Sequence, residues 1–421
     1  MKKKFLVIIA AALIMLTSAS CTARNTESST TTTTTSAKTA EAENTAITSS
    51  DNLGDSSDSG NDNVFTERDL AQTADLTNAK KYTVKDKKNI KITSEAVYVL
   101  SGDAKDVTVT VDAGNEAKVQ LVLNGVSIKN TSSPAIYVKS ADKVFVTTAS
   151  GKTNSLSVSG SFTTDGDVNT DAVIFSKDDL VINGKGTLNI NSSQNGITSK
   201  DDLKITGGKL SVTSTADAVE ANDSIAVADG TITINSQKDG LHSENSEDNS
   251  VGDIYIKDGS LNINAASDGI QGTTTVKIDG GTLNITSAEG IEGTSIKING
   301  GTIKVSASDD GINASGKSDS VNVGIEINDG DVTVDMGQGD TDGIDSNGDL
   351  YINGGKITVN AQSPFDYDGT CEKNGGTIIV NGEETDTITN QMMGGGGHGG
   401  MRGNGMQGNG MQGNGMRGGM R

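Results

Sequence analysis

Between residues 186 and 380 the apolar positions come as short alternating pairs set off by glycine. Gly186-Thr187-Leu188, Gly208-Lys209-Leu210, Gly230-Thr231-Ile232, Gly259-Ser260-Leu261, Gly281-Thr282-Leu283, Gly301-Thr302-Ile303, Gly330-Asp331-Val332, Gly355-Lys356-Ile357 and Gly376-Thr377-Ile378 follow one another at spacings of 20 to 29 residues, most of them 20 to 22. Within a unit the alternation is strict, as in Val276-x-Ile278, Leu283-x-Ile285 and then Ile291, so each strand presents one side chain inward and the next outward. No segment carries helical spacing. A repeat near 21 residues built from three short strands and three turns is one coil of a parallel β-helix, a solenoid whose interior needs only about five inward residues per coil. Residues 125–376 predict about ten coils, a stack of roughly 50 Å at 4.8 Å per coil. Residues 83–118 read as one or two more, and residues 66–78, with Leu70 and Leu76, as the polar cap a solenoid end requires.

Composition supports a narrow core. Of 421 residues 53 are Gly and two are Pro, aromatic residues make up 3%, and Trp is absent. A conventional globular core of this size is thereby excluded, because there is too little bulky apolar volume to fill one. The fold class expected is all-β.

The first 20 residues form a secretory leader: Lys2, Lys3 and Lys4, an apolar run from Phe5 to Leu16, then small residues up to Cys21. The apolar run is too short to span a bilayer. Cys21 resembles a lipobox cysteine, with Ser18 where such sites usually carry Leu; either Cys21 is lipidated or an ordinary cleavage leaves it a free thiol. Lipidation gives the expected localisation, extracellular and anchored to the outer face of the cell membrane, with the membrane touched through the lipid alone. Residues 21–63 are a Ser/Thr-rich stalk, and residues 391–421, rich in Gly, Met and Asn, a tail; both are expected to be disordered. Residues 64–118 then hold the cap and first coils, and 119–390 the main β-helix.

With 34 basic against 55 acidic residues the net charge is −21, which disfavours nucleic acid as a partner. The acids are patterned. Nine residues after most glycine anchors stand Asn195, Asp217, Asp239, Asp268, Glu289, Asp310 and Asp342, and three residues further on Glu220, His242, Gln271, Glu292, Asn313 and Asp345. Stacking turns these into two adjacent columns of oxygen about 4.8 Å apart per step. Carboxylates so close repel unless a cation lies among them, and hard oxygen donors suit Ca²⁺. Asp-Gly and Asn-Gly could also serve simply as corner turns. The metal reading selects Asp217, Glu220, Asp239, Asp268, Glu289, Glu292, Asp310, Asp342 and Asp345.

Long strings, among them ITSEAVYVLSG (92–102), VQLVLNGVSI (119–128), PAIYVKSADKVFVTT (134–148), KDGLHSEN (238–245), AEGIEGTSIKINGGTIKVSASDDGINAS (288–315), GDTDGIDSNGDLYINGG (339–355) and PFDYDGT (364–370), resemble the exported, usually lipid-anchored carbohydrate-binding domain-containing proteins of clostridia. That resemblance covers about residues 64–393. It implies a right-handed parallel β-helix similar to pectate lyases, with calcium-dependent or calcium-stabilised binding of plant-wall polysaccharide, acidic pectic chains or cellulose, and no family-wide catalytic activity. The family's acidic loops fall on the nine metal candidates above.

An enzyme of this kind would be a calcium-dependent polysaccharide lyase with an Arg or Lys base. All five arginines lie outside the coils, and Lys257, Lys277 and Lys297 occupy outward, solvated positions, so no catalytic residue is assigned. For sugar stacking the candidates are Tyr255, Tyr351, Phe365 and Tyr367. The expectation is a monomeric binder of acidic polysaccharide with Ca²⁺ along one edge, against the alternatives of a lyase and of a structural or adhesive rod.

Overall fold

The computed structural model describes residues 64–337 and 341–390. The leader, the stalk, Cys21 and the Gly/Met tail lie outside the described residues. What is described is a parallel β-helix. One sheet contains twelve strands, from Ile90–Ile92 to Ser363–Tyr367, each hydrogen-bonded in parallel to the next. A larger sheet of 24 strands carries the other two strands of every coil, and its two halves merge where Val97–Lys105 and Lys118–Asn130 run through the corner between them. A typical coil is Thr231–Ser236, Leu241–Ser243 and Asp253–Ile256; the next repeats it as Ser260–Asn264, Asp268–Gly272 and Thr275–Ile278.

Five inward columns fill the interior. Leu188, Leu210, Ile232, Leu261, Leu283, Ile303, Val332 and Ile357 stack as one, and Ile197, Val219, Leu241, Ile270, Ile291, Ile312, Ile344 and Phe365 as another, all buried. Each such side chain contributes about 1.5–3 kcal/mol on burial. Stacking like on like lets β-branched residues do this without aromatic bulk.

Two glycine columns have different causes. At the turn glycines, such as Gly230 and Gly259 with φ of 128° and 118°, the backbone adopts a conformation that side chains resist. At Gly290 a Cβ would instead meet the carbonyl oxygen of Gly311 at 2.2 Å, so glycine is needed there for close approach of adjacent coils. On the outer face Asn299, Asn328, Asn353 and Asn374 form an amide ladder that begins at Asp279. Each side-chain Nδ2 donates to the preceding oxygen at 2.7–2.8 Å.

Both ends of the described body depart from the repeat. At the C-terminal end Asn381-Gly382, both with positive φ, turn the chain so that Glu383–Thr385 pairs antiparallel with Thr377–Val380, ending the parallel ladder. The expected N-terminal cap is a correction. Residues 64–72 do not cover the end of the stack but lie across the flank of the larger sheet, and the strand Lys80–Thr83, paired with Tyr98–Ser101, forms the first rung. Val64 and Phe65 pack on Ala226 and Ala228 with Tyr255 beside them, Asp69 meets Lys143 and Lys204, and Gln72 bridges the Thr206 carbonyl and the Gly184 N–H. Apolar and charged side chains on that flank hold the segment, whereas a cap would leave them in water.

Candidate functional site

The twelve-stranded sheet carries the two acidic columns on its outer face. Direct register pairs Asp268 with Glu289, Glu220 with His242, His242 with Gln271, Gln271 with Glu292, Glu292 with Asn313, Asn313 with Asp345, and Asp345 with Asp366. In the first column Asn195, Asp268, Glu289 and Asp342 open their strands, Asp217, Asp239 and Asp310 stand two residues before theirs, and the side-chain oxygens serve the backbone. The N–H of Asp217 donates to Asn195 Oδ1, that of Asp239 to Asp217 Oδ1, that of Asp268 to Asp239 Oδ1 and that of Asp342 to Asp310 Oδ1, at 3.0–3.2 Å. One oxygen of each such acid is therefore structural, and the other faces outward.

The two halves of this edge differ in what meets the outward oxygens. In the N-terminal half Lys238 Nζ lies 3.2 Å from Asp217 Oδ2, Lys200 Nζ 3.3 Å from Glu220 Oε1, and His242 Nδ1 3.5 Å from both Asp217 Oδ2 and Asp239 Oδ2. Glu220 also accepts from Asn195 Nδ2 and Thr198 Oγ1. Burial alone would raise the Asp217 pKa, but His242, the Asp239 N–H and Lys238 outweigh it and hold the carboxyl at about 2. Burial likewise opposes a charged His242, and the Asp217, Asp239 and Glu220 carboxylates still raise its pKa above the ordinary value.

In the C-terminal half Asp268, Glu289 and Glu292 bring carboxylate oxygens within 4.8 Å of one another. Lys317 reaches Glu292 Oε2 at 2.9 Å, Gln271 Nε2 donates to the same oxygen at 2.7 Å, and Asn313 Nδ2 donates to Glu289 Oε2 at 3.2 Å. Burial, followed by mutual repulsion, lifts Asp268 to about 6 and Glu289 to about 7; Asp310 rises to about 6 and Asp345 to about 7 for the same reasons. Asn313, 8% exposed, keeps its Oδ1 buried and without a hydrogen bond. Three converging carboxylates are a hard-oxygen donor set, which fits Ca²⁺. The imidazole and lysines of the other half make it a poorer host.

The structure thus joins Asp268, Glu289 and Glu292 in one cluster and Asp217 and Asp239 with His242 in another. A third group was missed from the sequence: Asp179, Asp201 and Asp202 also converge within 4.8 Å, at the corner where strands of the larger sheet begin. Burial, then neighbouring acids, raises Asp201 and Asp202 to about 6. The signal was present as Lys177-Asp178-Asp179-Leu180 and Lys200-Asp201-Asp202-Leu203 in successive coils.

The four aromatic candidates do not form one platform. Phe365 is 2% exposed and completes an inward column below Ile344, which removes it as a sugar contact. Tyr367 packs half-buried against the core from the same strand. Tyr255 and Tyr351 lie on the other sheet in one outward column, but Lys277, Lys297 and Glu326 separate them. Tyr255 donates to Asp279 Oδ2 at 2.7 Å, and Tyr351 to Asp349 Oδ2 at 3.3 Å. Lys277 and Lys297 point outward as expected and pair with Asp279 and Glu326.

Known proteins resemble this chain in part of its length. A protein of Acetivibrio thermocellus described as a carbohydrate-binding domain-containing protein is 42% identical over 127 residues, 30% of this chain and 44% of that protein, so the chain spans less than half of that relative. A solved structure titled as a polysaccharide lyase-like protein from C. thermocellum, a gadolinium derivative, aligns with 30% identity and a TM-score of 0.46 over 62% of this chain and 97% of its own. The family model for carbohydrate-binding domain-containing proteins matches residues 86–341, well over half of the sequence, and the chain belongs to that family.

Proposed function

We propose that this protein binds acidic plant-wall polysaccharide through Ca²⁺ held on the C-terminal half of the acidic edge. The observation that carries the reading is the convergence of the Asp268, Glu289 and Glu292 carboxylates within 4.8 Å of one another. These three residues would hold the ion, with Asp310, Asp342 and Asp345 continuing the same columns. Bound there, Ca²⁺ supplies the positive charge that lets a carboxylated sugar approach an acidic surface. The chain's own part is to keep the carboxylates stacked on a rigid sheet, with Asp310 Oδ1 tied to the Asp342 backbone and Lys317 positioned against Glu292. Export and lipidation at Cys21 belong to the same reading: they would present this edge outside the cell.

The test uses the mature full chain with polygalacturonate, with and without Ca²⁺, following both pull-down and the ultraviolet absorbance of unsaturated uronides. Calcium-dependent pull-down with flat absorbance is the expected result. Rising absorbance would make the protein a lyase, and no pull-down on polygalacturonate or cellulose would leave a structural rod. Replacing Cys21 by Ala should move the protein out of the membrane fraction; an unchanged fraction would overturn the anchor.

A further inference from the structure

Of the described lysines only two are buried, Lys143 at 8% and Lys204 at 2% exposure, and both stand on the outer face of the larger sheet. What buries them is the flanking segment 64–72. Asp69, with no exposed surface, brings Oδ1 to 3.8 Å from Lys143 Nζ and Oδ2 to 3.5 Å from Lys204 Nζ, while Lys204 Nζ donates to the Val64 carbonyl at 2.7 Å and Lys143 also meets Asp179 at 3.2 Å. Asp69 Oδ2 accepts the Thr66 N–H at 3.0 Å and so caps the short helix, whereas Oδ1 is buried and accepts no hydrogen bond. Around this carboxylate the segment covers two rings. The Arg68 guanidinium sits 4.4 Å above the Phe145 ring, and Phe65 lies 6.1 Å from Tyr255. Asn183 Nδ2 and Thr206 Oγ1 both donate to the Asp69 carbonyl.

Beneath the segment, therefore, a rigid sheet presents two ammonium groups, two aromatic rings, an amide and a hydroxyl. Phe145 and Tyr255 stand four rungs apart in one outward column through Val181, Lys204 and Ala226, and Lys143 is shared with Asp179. The set therefore matches a short acidic oligosaccharide: ammonium groups for a carboxylate, ring faces for the pyranoses at either end, and polar groups for hydroxyls. We propose that this floor is a second carbohydrate site, selective for an anionic uronate-type sugar, and that residues 64–72 are a displaceable strap whose Asp69 occupies the place of the sugar carboxylate. The inference rests on the carbohydrate-binding reading but not on calcium.

The strap is built to lift. Beyond one helical turn, Glu67–Leu70, it has no regular structure. Its backbone hydrogen bonds run within itself, from Leu70 N to Thr66 and from Ala71 N to Arg68, whereas bonds to the sheet go through the side chains of Lys204, Asn183, Thr206 and Gln72. A tethered competitor of this kind lowers apparent affinity by the fraction of time it is seated.

The experiment uses the full mature chain in excess chelator, so that the acidic edge holds no calcium, with trigalacturonate as probe and neutral cellotriose as control. Asp69→Asn and, separately, Phe65→Ala should bind trigalacturonate about tenfold or more tighter than the parent by calorimetry, and cellotriose no better. Adding Lys143→Gln and Lys204→Gln should abolish the gain. In the parent, saturating trigalacturonate should accelerate amide exchange in residues 64–72 and leave 253–256 protected. If either variant melts cooperatively, exposes 64–72 to exchange and gains no affinity, the floor is not a sugar site. If neither exposes the segment and trigalacturonate leaves its exchange unchanged, the strap is a permanent cover and the proposal fails. Calcium-dependent pull-down by the parent is scored separately, so failure here and failure at the acidic edge are distinguishable.

Discussion

The two halves of the acidic edge share one backbone plan and differ in how many of the described cations meet it: Lys200, Lys238 and His242 in one half, Lys317 alone, beside Glu292, in the other. Around Asp217, Glu220 and Asp239 the sequence supplies Lys200, Lys238 and His242 within 3.2–3.5 Å. Around Asp268, Glu289, Asp310 and Asp345 the carboxyl pKa values climb to about 6 or 7. Register fixes where carboxylates stack, but the residues at neighbouring positions decide whether a stack neutralises itself or calls for an ion. The lesson is that an acidic column in a solenoid must be judged rung by rung.

The sharpest way to break the contrast is to remove an acid from the self-neutralised half. Asp217→Ala should cost about 3 kcal/mol or more in urea unfolding, because losing this buried carboxylate leaves Lys238 and the Asp239 N–H without their acceptor and His242 without its nearest counter-charge. Glu289→Gln in metal-free protein should cost little or stabilise, since it relieves repulsion. Equal losses for the two would erase the distinction.

Calcium comes next in size. At a concentration about 100 times its dissociation constant it should add about 2.7 kcal/mol, read as a higher melting temperature than in chelator. Glu289→Gln combined with Glu292→Gln should abolish that increment, whereas Asp217→Asn with Asp239→Asn should retain it. The reverse pattern would move the ion to the N-terminal half.

Acid titration of metal-free protein should show a smaller effect. Asp268, Glu289, Asp310 and Asp345 have folded pKa values raised above the unfolded ones, so the folded state binds more protons between about pH 4 and 7 and stability falls as pH rises through that window. His242, also raised, acts in the same direction: its contribution is present below about pH 6.5 and is lost as pH rises through the folded value. Asp217, depressed to about 2, contributes stability present above about pH 4 and lost below it. Maximum melting temperature near pH 5 in chelator is the expected result, and a maximum above pH 7 would contradict it. The least effect expected is from Lys317→Met, which removes the cation beside Glu292 and should tighten calcium binding a few-fold by calorimetric titration.

Much of this was legible because solenoid stacking converts sequence period into spatial columns. The five inward columns and both acidic ones followed from counting from each glycine. Phe365 was misread although the same counting places it under Ile344; an aromatic residue at an aliphatic column position looked like a ligand platform when it was core. The Asp179, Asp201 and Asp202 group was hidden because Lys-Asp-Asp-Leu resembles a solvated corner. The strap could not be seen, since its partners lie from 74 (Asp69 to Lys143) to 190 (Phe65 to Tyr255) residues away and residues 64–72 carry no repeat that would register them against a coil.

The strap also determines how the body responds to force. The described chain begins at Val64 on the flank, beside Ala226, Ala228 and Tyr255, and only afterwards reaches the first rung at Lys80. Tension arriving through the preceding chain therefore loads the strap before any coil. Along the chain its fastenings come in the order Val64 and Phe65, then Arg68 and Asp69, then Gln72. The coils themselves, joined rung to rung by parallel backbone ladders, need not open. Release of the segment would uncover Lys143 and Lys204 without breaking any backbone ladder between coils.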